Sequence, residues 1–177
     1  MSFSAPHRDP KASHSPTLHD MMMFRLYRAW SAGNPIFTRL CEGRFNITRR
    51  EWRILAIVAQ HGALTSTDLA HAAALDAART SRAISTLCQK KLLERTRGQP
   101  DARTVQVSAS SAGMQLYEEI MPIVADLNDL IFQDLSSQEL HAFGTMLDRI
   151  IRRAGLMLEE DLIKERVHRG RAGGYSG

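Results

Sequence analysis

Two helix-start signals stand close together in this chain, with a basic strand-turn-strand behind them, and no other stretch so restricts the fold. Thr65 has a side-chain oxygen able to accept from an orphan helix N–H, and Asp68, three residues on, can reach back. Asp76 is a second N-cap, so the helix opened by Thr65 must end before it, and Leu69, Ala72 and Leu75 give that helix one short apolar stripe. After Asp76, the residues Ala83, Ile84, Leu87 and Cys88 recur at helical spacing on one side. The other side is small, hydroxylated and cationic: Ala77, Ala78, Arg79, Thr80, Ser81, Arg82 and Ser85.

A hairpin follows. Residues 92–95 and 104–107 are short β-leaning runs, with Gly98-Gln99-Pro100-Asp101 as the turn between them and Arg95, Arg97 and Arg103 in its arms. Between Asp76 and Arg103 lie seven basic and three acidic residues, so this segment carries a net +4. The whole chain also carries a formal +4, which leaves the rest neutral and concentrates the positive field on one supersecondary unit. A helix face of small residues can sink into a major groove. Arg there can pair with guanine, and Ser or Thr can bond bases or phosphates.

Read this way, the segment resembles the MarR family (multiple antibiotic resistance regulator) of bacterial winged-helix transcription factors. The matching residues are Thr48 to Leu55 ahead of the motif, Leu64-Thr65 with Leu69-Ala70, Ser81-Arg82 with Leu87, and Asp101-Ala102-Arg103 followed by Val105, Val107 and Gly113. The Asp-x-Arg wing with a downstream Gly is the most specific of these, and the matches run from about Thr17 to Ala154. Two positions depart from the pattern. Lys91 stands where the family usually ends its recognition helix with Gly, and Ala109 where a Leu is usual.

The flanks are predicted to be helical. Thr17 with Asp20, Thr48 with Glu51, and Ser136 with Glu139 repeat the cap pairing of Thr65 with Asp68. The helix from Thr17 carries Leu18, Met22, Phe24 to Leu26, Trp30 and, further on, Ile36, Phe37 and Leu40; Gly33-Asn34-Pro35 should kink or restart it. The helix from Thr48 should bury Trp52, Leu55, Ile57, Val58 and Ala59 and end at His61-Gly62. Ser110 opens a long helix with Leu116, Ile120, Ile123, Val124, Leu127, Leu130 and Ile131 in period. After Ser136 the same period continues through Leu140, Phe143, Leu147, Ile150, Ile151 and Ala154.

The predicted fold class is therefore mainly α with a small β-wing: a winged helix-turn-helix plus a helical dimerisation lobe built from the N- and C-terminal helices. Residues 48–109 form the DNA-binding part, and residues 17–47 with 110–158 form the dimerisation part. Residues 1–16, rich in Pro, Ser and His, are read as a flexible arm, and residues 159–177 as a charged, Gly-rich tail. A helical hairpin of this kind has little to pack on except a second copy, so a two-fold homodimer is expected through Leu18, Met22, Phe143, Leu147, Ile150 and Ile151.

The expected partner is double-stranded DNA with an inverted repeat. Thr65, Ala78, Arg79, Thr80, Ser81, Arg82 and Ser85 would make the helix-turn-helix contacts, and Arg95, Arg97 and Arg103 the phosphate or minor-groove contacts. Arg103 has a second reading, as the ion-pair partner of Asp101 that stiffens the wing. The resemblance implies a repressor released by a small, often aromatic, ligand in a crevice beside the helix-turn-helix. Met22, Arg25, Leu26, Trp30, Trp52 and His61 are the candidate lining.

Three other function classes weigh against this. Cys41 or Cys88 could serve as a redox switch, with Arg39 lowering the pKa of Cys41, but neither lies near the start of the first helix, where the family's thiol sensors keep theirs. The seven His residues show no i, i+3 or i, i+4 pair, so no metal site is predicted, and no cofactor motif or catalytic constellation occurs. A winged helix used for protein contacts alone is the remaining rival. The longest apolar run, Ile54 to Ala59, is far too short to span a bilayer, no secretory h-region is present, and a reducing cytoplasm is the expected setting.

Overall fold

The computed structural model describes residues 17–97 and 105–160. The arm over 1–16, the hairpin tip with Asp101 and Arg103, and the tail from 161 lie outside the described residues. Six α-helices and three strands follow one another as α1 (Met22–Thr38), α2 (Arg49–His61), β1 (Leu64–Thr65), α3 (Ser66–Ala72), α4 (Ala77–Gln89), β2 (Leu93–Arg97), β3 (Val105–Ala109), α5 (Ser111–Ile131) and α6 (Ser137–Glu159). The chain divides into two compact units, one ending at Asn128 and one beginning at Asp129. No helix among the described residues is long and apolar enough to cross a membrane.

Local chemistry sets the helix boundaries of the first unit. Thr48 accepts from the Glu51 amide while Glu51 accepts from the Thr48 amide at 2.9 Å, closing a capping box on α2. Gly62 stops the same helix with φ of 80°, a left-handed conformation that favours glycine. Thr65 caps α3 by accepting from the Asp68 amide at 3.1 Å, and Asp76 caps α4 by accepting from the Arg79 amide at 2.8 Å. Each such cap contributes on the order of 1 kcal/mol.

Packing joins these pieces. Ile54, Leu55, Val58, Leu69, Ile84, Leu87, Leu93 and Val107, each no more than 2% exposed, form one core that links α2, α3, α4 and the sheet. Burying a side chain of this size contributes roughly 1.5–3 kcal/mol. The sheet order is β1-β3-β2, antiparallel throughout, with Leu64 opposite Val107 and Leu93 opposite Ala109. A second cluster gathers Cys41, Ile47, Trp52 and Ile120, with Trp52 stacked on Tyr117 at 5.9 Å between ring centroids.

Four expectations change. Thr17 with Asp20 caps only a 3-10 turn, Leu18–Asp20, because Met21 is extended and α1 begins after it. Pro35 neither ends nor restarts α1, which continues to Thr38 and then widens into a π-helical segment, Arg39–Arg44. Asn34 is held in that stretch from two sides: its carbonyl accepts from Thr38 Oγ1 at 3.1 Å, and its side-chain oxygen accepts from Arg49. On α2 the buried face contains Ile54, whereas Ile57 and Ala59 are half-buried. The sheet also gains β1, whose two residues are too few to leave a period in the sequence.

The start of α5 lies close against the chain between α4 and β2. The Ser110 amide donates to the Leu92 carbonyl at 3.1 Å, and Ser110 Oγ donates to the Lys91 carbonyl at 2.7 Å while accepting from the Gly113 amide at 3.0 Å. A Cβ on Gly113 would lie 2.0 Å from the Leu92 carbonyl oxygen, so only glycine lets α5 approach the chain between α4 and β2. Lys91, beside it, has φ of 59°. The departure from Gly noted in the sequence therefore falls on a position whose backbone is left-handed.

The second unit is largely α6. Ser136 and Glu139 close its capping box, and Phe132 meets Phe143 at 6.4 Å between centroids. None of the residues of α6 is buried, and Leu140, Ile150 and Ile151 are exposed.

Candidate nucleic-acid interface

The outer face of α4 is held outward by what its inner face buries. Thr80, Ala83, Ile84 and Leu87 enter the core, which leaves Ala77, Ala78, Arg79, Ser81 and Arg82 exposed in the first two turns. Thr80 thus corrects the sequence reading. It is fully buried, and its Oγ1 donates to the Asp76 carbonyl at 2.9 Å, so it cannot reach a base. Ser85 is half-buried and accepts from Arg95 Nη2 at 3.1 Å, which fastens the base of the wing to α4.

The cations differ in how free they are. Arg79 Nε sits 3.2 Å from Asp76 Oδ2, an i,i+3 pair of an exposed arginine with a half-buried aspartate. Arg82 Nε donates to the Ala78 carbonyl at 3.2 Å, and the side chain is exposed. Lys90 belongs to the scaffold instead. Its Nζ donates to Glu51 Oε2 at 2.9 Å and to the Asn46 carbonyl at 2.7 Å, and Glu51 is buried. One of the seven basic residues that give the segment its +4 is therefore neutralised by a carboxylate from α2.

Thr65 is half-buried and occupied as the cap of α3, its Oγ1 donating to Asp68 Oδ2 at 2.7 Å. Arg95 is exposed on β2, and Arg97 closes that strand. Between the start of α2 and α4 lies an open cleft of about 240 Å³ lined by Thr48, Arg50, Glu51, Arg79, Arg82, Ala83 and Thr86. The sequence reading left Arg50 out, since nothing local to α2 shows that it faces α4.

The effector candidates are not brought together as a set. Trp52 is buried in the second cluster, Leu26 is half-buried, and Met22, Arg25, Trp30 and His61 are exposed. Arg25 Nη1 points at Met22 Sδ, 3.9 Å away, on the same helix. Cys41 is fully buried, and burial pushes its thiol pKa up, with Arg49 opposing and Glu42 adding to the shift. The cation that opposes the shift is Arg49, from α2, rather than the neighbouring Arg39. A buried, protonated thiol is a poor nucleophile, which weighs against Cys41 as a redox switch.

Comparison with known proteins fits this geometry. Residues 45–104 match the model of the MarR family, and this span runs from the loop before α2 through the helix-turn-helix into the wing. Over this span the chain carries a winged helix-turn-helix of the MarR type. Among its relatives, the HTH-type transcriptional regulator FarR of Neisseria gonorrhoeae is 32% identical over 95 residues, 54% of this chain and 65% of that protein. The HTH-type regulator YwhA of Bacillus subtilis strain 168 is 29% identical over 97 residues, 55% of this chain and 70% of that one. A solved structure of BpsR from Bordetella bronchiseptica shares the fold with a TM-score of 0.70 and 24% identity, covering 77% of this chain and 97% of that chain. The MarR family is one of DNA-binding transcriptional regulators rather than enzymes, and both relatives are HTH-type transcriptional regulators.

Proposed function

We propose that this protein is a homodimeric repressor of the MarR type that occupies an inverted-repeat operator and leaves it when a small aromatic acid binds. The observation that carries the reading is the exposed row Ala78, Arg79, Ser81 and Arg82 on a helix anchored by Ala83, Ile84 and Leu87, beside a hairpin that bears Arg95. A helix of this kind inserts in a major groove with its N-terminal residues toward the bases. Dimerisation is supported by apolar residues that the single chain leaves uncovered, Leu18, Met22 and Trp30 around α1 and, separately, Ile150 and Ile151 on α6. Two copies related by a two-fold axis would read half-sites about one helical turn, roughly 34 Å, apart.

Release requires a ligand that binds the DNA-incompetent dimer better than the competent one. The DNA binding of BpsR is regulated by 6-hydroxynicotinic acid, a small aromatic acid, and that supports the same effector class here. Met22, Leu26, Trp30 and Trp52 are the apolar candidates for its site, and Arg25 and His61 the polar ones.

The test is gel retardation of the DNA upstream of the protein's own gene, in a salt series. Binding should weaken steeply with salt, since each neutralised phosphate releases counterions. Arg82→Ala should abolish selective retardation while leaving the fold intact. Retardation equal on unrelated DNA, or a monomer by sedimentation, would overturn the reading. A thermal-shift screen of aromatic acids, with release of the retarded band as the second readout, tests the effector; failure of every stabilising acid to free the DNA would remove that part.

A further inference from the structure

The cleft between α2 and α4 has a charge distribution that the recognition helix alone does not explain. Arg79, Arg82 and Thr86, spaced i, i+3, i+7, form its α4 wall, and Thr48, Arg50 and Glu51 form its α2 wall. The one acidic member is already occupied: Glu51 Oε2 accepts from the Thr48 amide and from Lys90 Nζ, both at 2.9 Å. Arg79 is partly offset by Asp76. Arg50 and Arg82, by contrast, are exposed and have no acidic partner among the described residues. Two uncompensated guanidinium groups thus converge from different helices on one open depression, which also offers the Thr48 hydroxyl, whose oxygen accepts from the Glu51 amide and whose hydrogen is left to donate. Guanidinium forks of this kind match phosphate oxygens.

We propose that Arg50, from outside the helix-turn-helix, holds a backbone phosphate of the bound DNA in this cleft, with Arg82 and Thr48 beside it. This rests on the DNA-binding reading above. A duplex phosphate is favoured over a free small anion because the cleft is open and α4 itself supplies one wall. A major groove roughly 12 Å wide has a phosphate strand along each lip, so a helix seated in it lies between two rows of phosphates. Ser85 receives the hairpin through Arg95 along one border of α4, and the cleft lies along another. The contact would position the helix and carry no base information.

The experiment compares the full-length protein with Arg50→Ala and Arg50→Lys, measuring Kd against salt on the upstream DNA and on an unrelated duplex of equal length. Loss of one phosphate contact per protomer should make the slope of log K on log salt less negative by about 0.9 per contact, about 1.8 for the dimer. Kd should rise several-fold by a similar factor on both duplexes, because a phosphate contact is blind to sequence. Arg50→Lys should keep most of the slope, as an ammonium still neutralises a phosphate. Unchanged melting of Arg50→Ala, expected for an exposed side chain, shows that the loss is not one of folding.

A normal slope in Arg50→Ala, or a loss confined to the upstream DNA, overturns the proposal. A second arm titrates inorganic phosphate into the DNA-free protein at constant ionic strength. Phosphate binding that disappears in Arg50→Ala, while the DNA slope stays unchanged, assigns the cleft to a free anion and also overturns it. If the unsubstituted protein retards no DNA, both this proposal and the regulator reading fail; if it binds normally and only the Arg50→Ala prediction fails, the regulator reading stands.

Discussion

Helices α4 and α6 are both amphipathic, yet they end in opposite circumstances. The shorter, α4, buries four residues against its own chain, whereas α6, of 23 residues, buries none. The difference lies in where the partner surface is encoded. For α4 it is the core supplied by α2, α3 and the sheet, all within one unit. For α6 the apolar residues Leu140, Ile150 and Ile151 stay exposed, as they would on a helix whose complement comes from a second copy. Periodicity alone treats the two alike, because it reports that a face is apolar and not what covers it.

The contrast can be broken most directly with matched truncations. Ile84→Ala on α4 should cost about 4 kcal/mol of chain stability, since the side chain is fully buried. Ile151→Ala on α6 should change the stability of the single chain by less than about 0.5 kcal/mol. It should instead weaken self-association, so that its melting temperature depends more strongly on protein concentration. Urea denaturation at two concentrations distinguishes these outcomes; equal losses from the two variants would mean that α6 is buried within one chain after all.

Next in size is Gly113→Ala. The added Cβ would meet the Leu92 carbonyl at 2.0 Å, and backbone cannot swing away as a side-chain tip can, so about 3 kcal/mol should be lost in denaturant melts. Lys91→Gly works in the other direction. Relief of the left-handed strain at φ of 59°, less the extra freedom glycine has in the unfolded chain, should raise stability by about 0.5 to 1 kcal/mol. The thermal midpoint should rise with it, and a fall would show that the lysine side chain contributes more than its backbone costs.

The smallest expected effect is a pH dependence at the start of α6. Hydrogen bonds from the Ser136 hydroxyl and amide hold the Glu139 carboxyl below its ordinary value of 4.5. A lowered pKa in the folded state means that the cap's contribution is present above the unfolded value and lost as pH falls through the folded one. The Ser136 amide resonance should therefore move in an acid titration with a midpoint under 4.5, and a midpoint above it would show that the cap is open in solution.

What could be read from the sequence follows the reach of each interaction. The caps at Thr48, Thr65, Asp76 and Ser136 are complete within four residues, and all are found where the spacing put them. Lys90 could not be assigned to the scaffold in this way, because its partner Glu51 is 39 residues away. For the same reason Ser85 was not recognised as the seat of Arg95, nor Arg50 as a wall of the cleft facing α4. Thr80 is different, since the information was there. It stands at i, i+3, i+4, i+7 with Ala83, Ile84 and Leu87, and its hydroxyl, read as polar, concealed a helical position that points inward. At Pro35 the helix does not restart: the missing N–H is tolerated within α1, and the register changes later, at the π-helical segment.

The seam at Leu92 has a mechanical corollary. Its carbonyl takes the Ser110 amide while Gly113 closes on it from the side, so the root of α5 and the foot of the hairpin share one backbone joint with no slack. Twisting or tilting α5 at that joint would carry β2 with it, and the hairpin would behave as a pointer fixed to the helix, with no free swing of its own at the base.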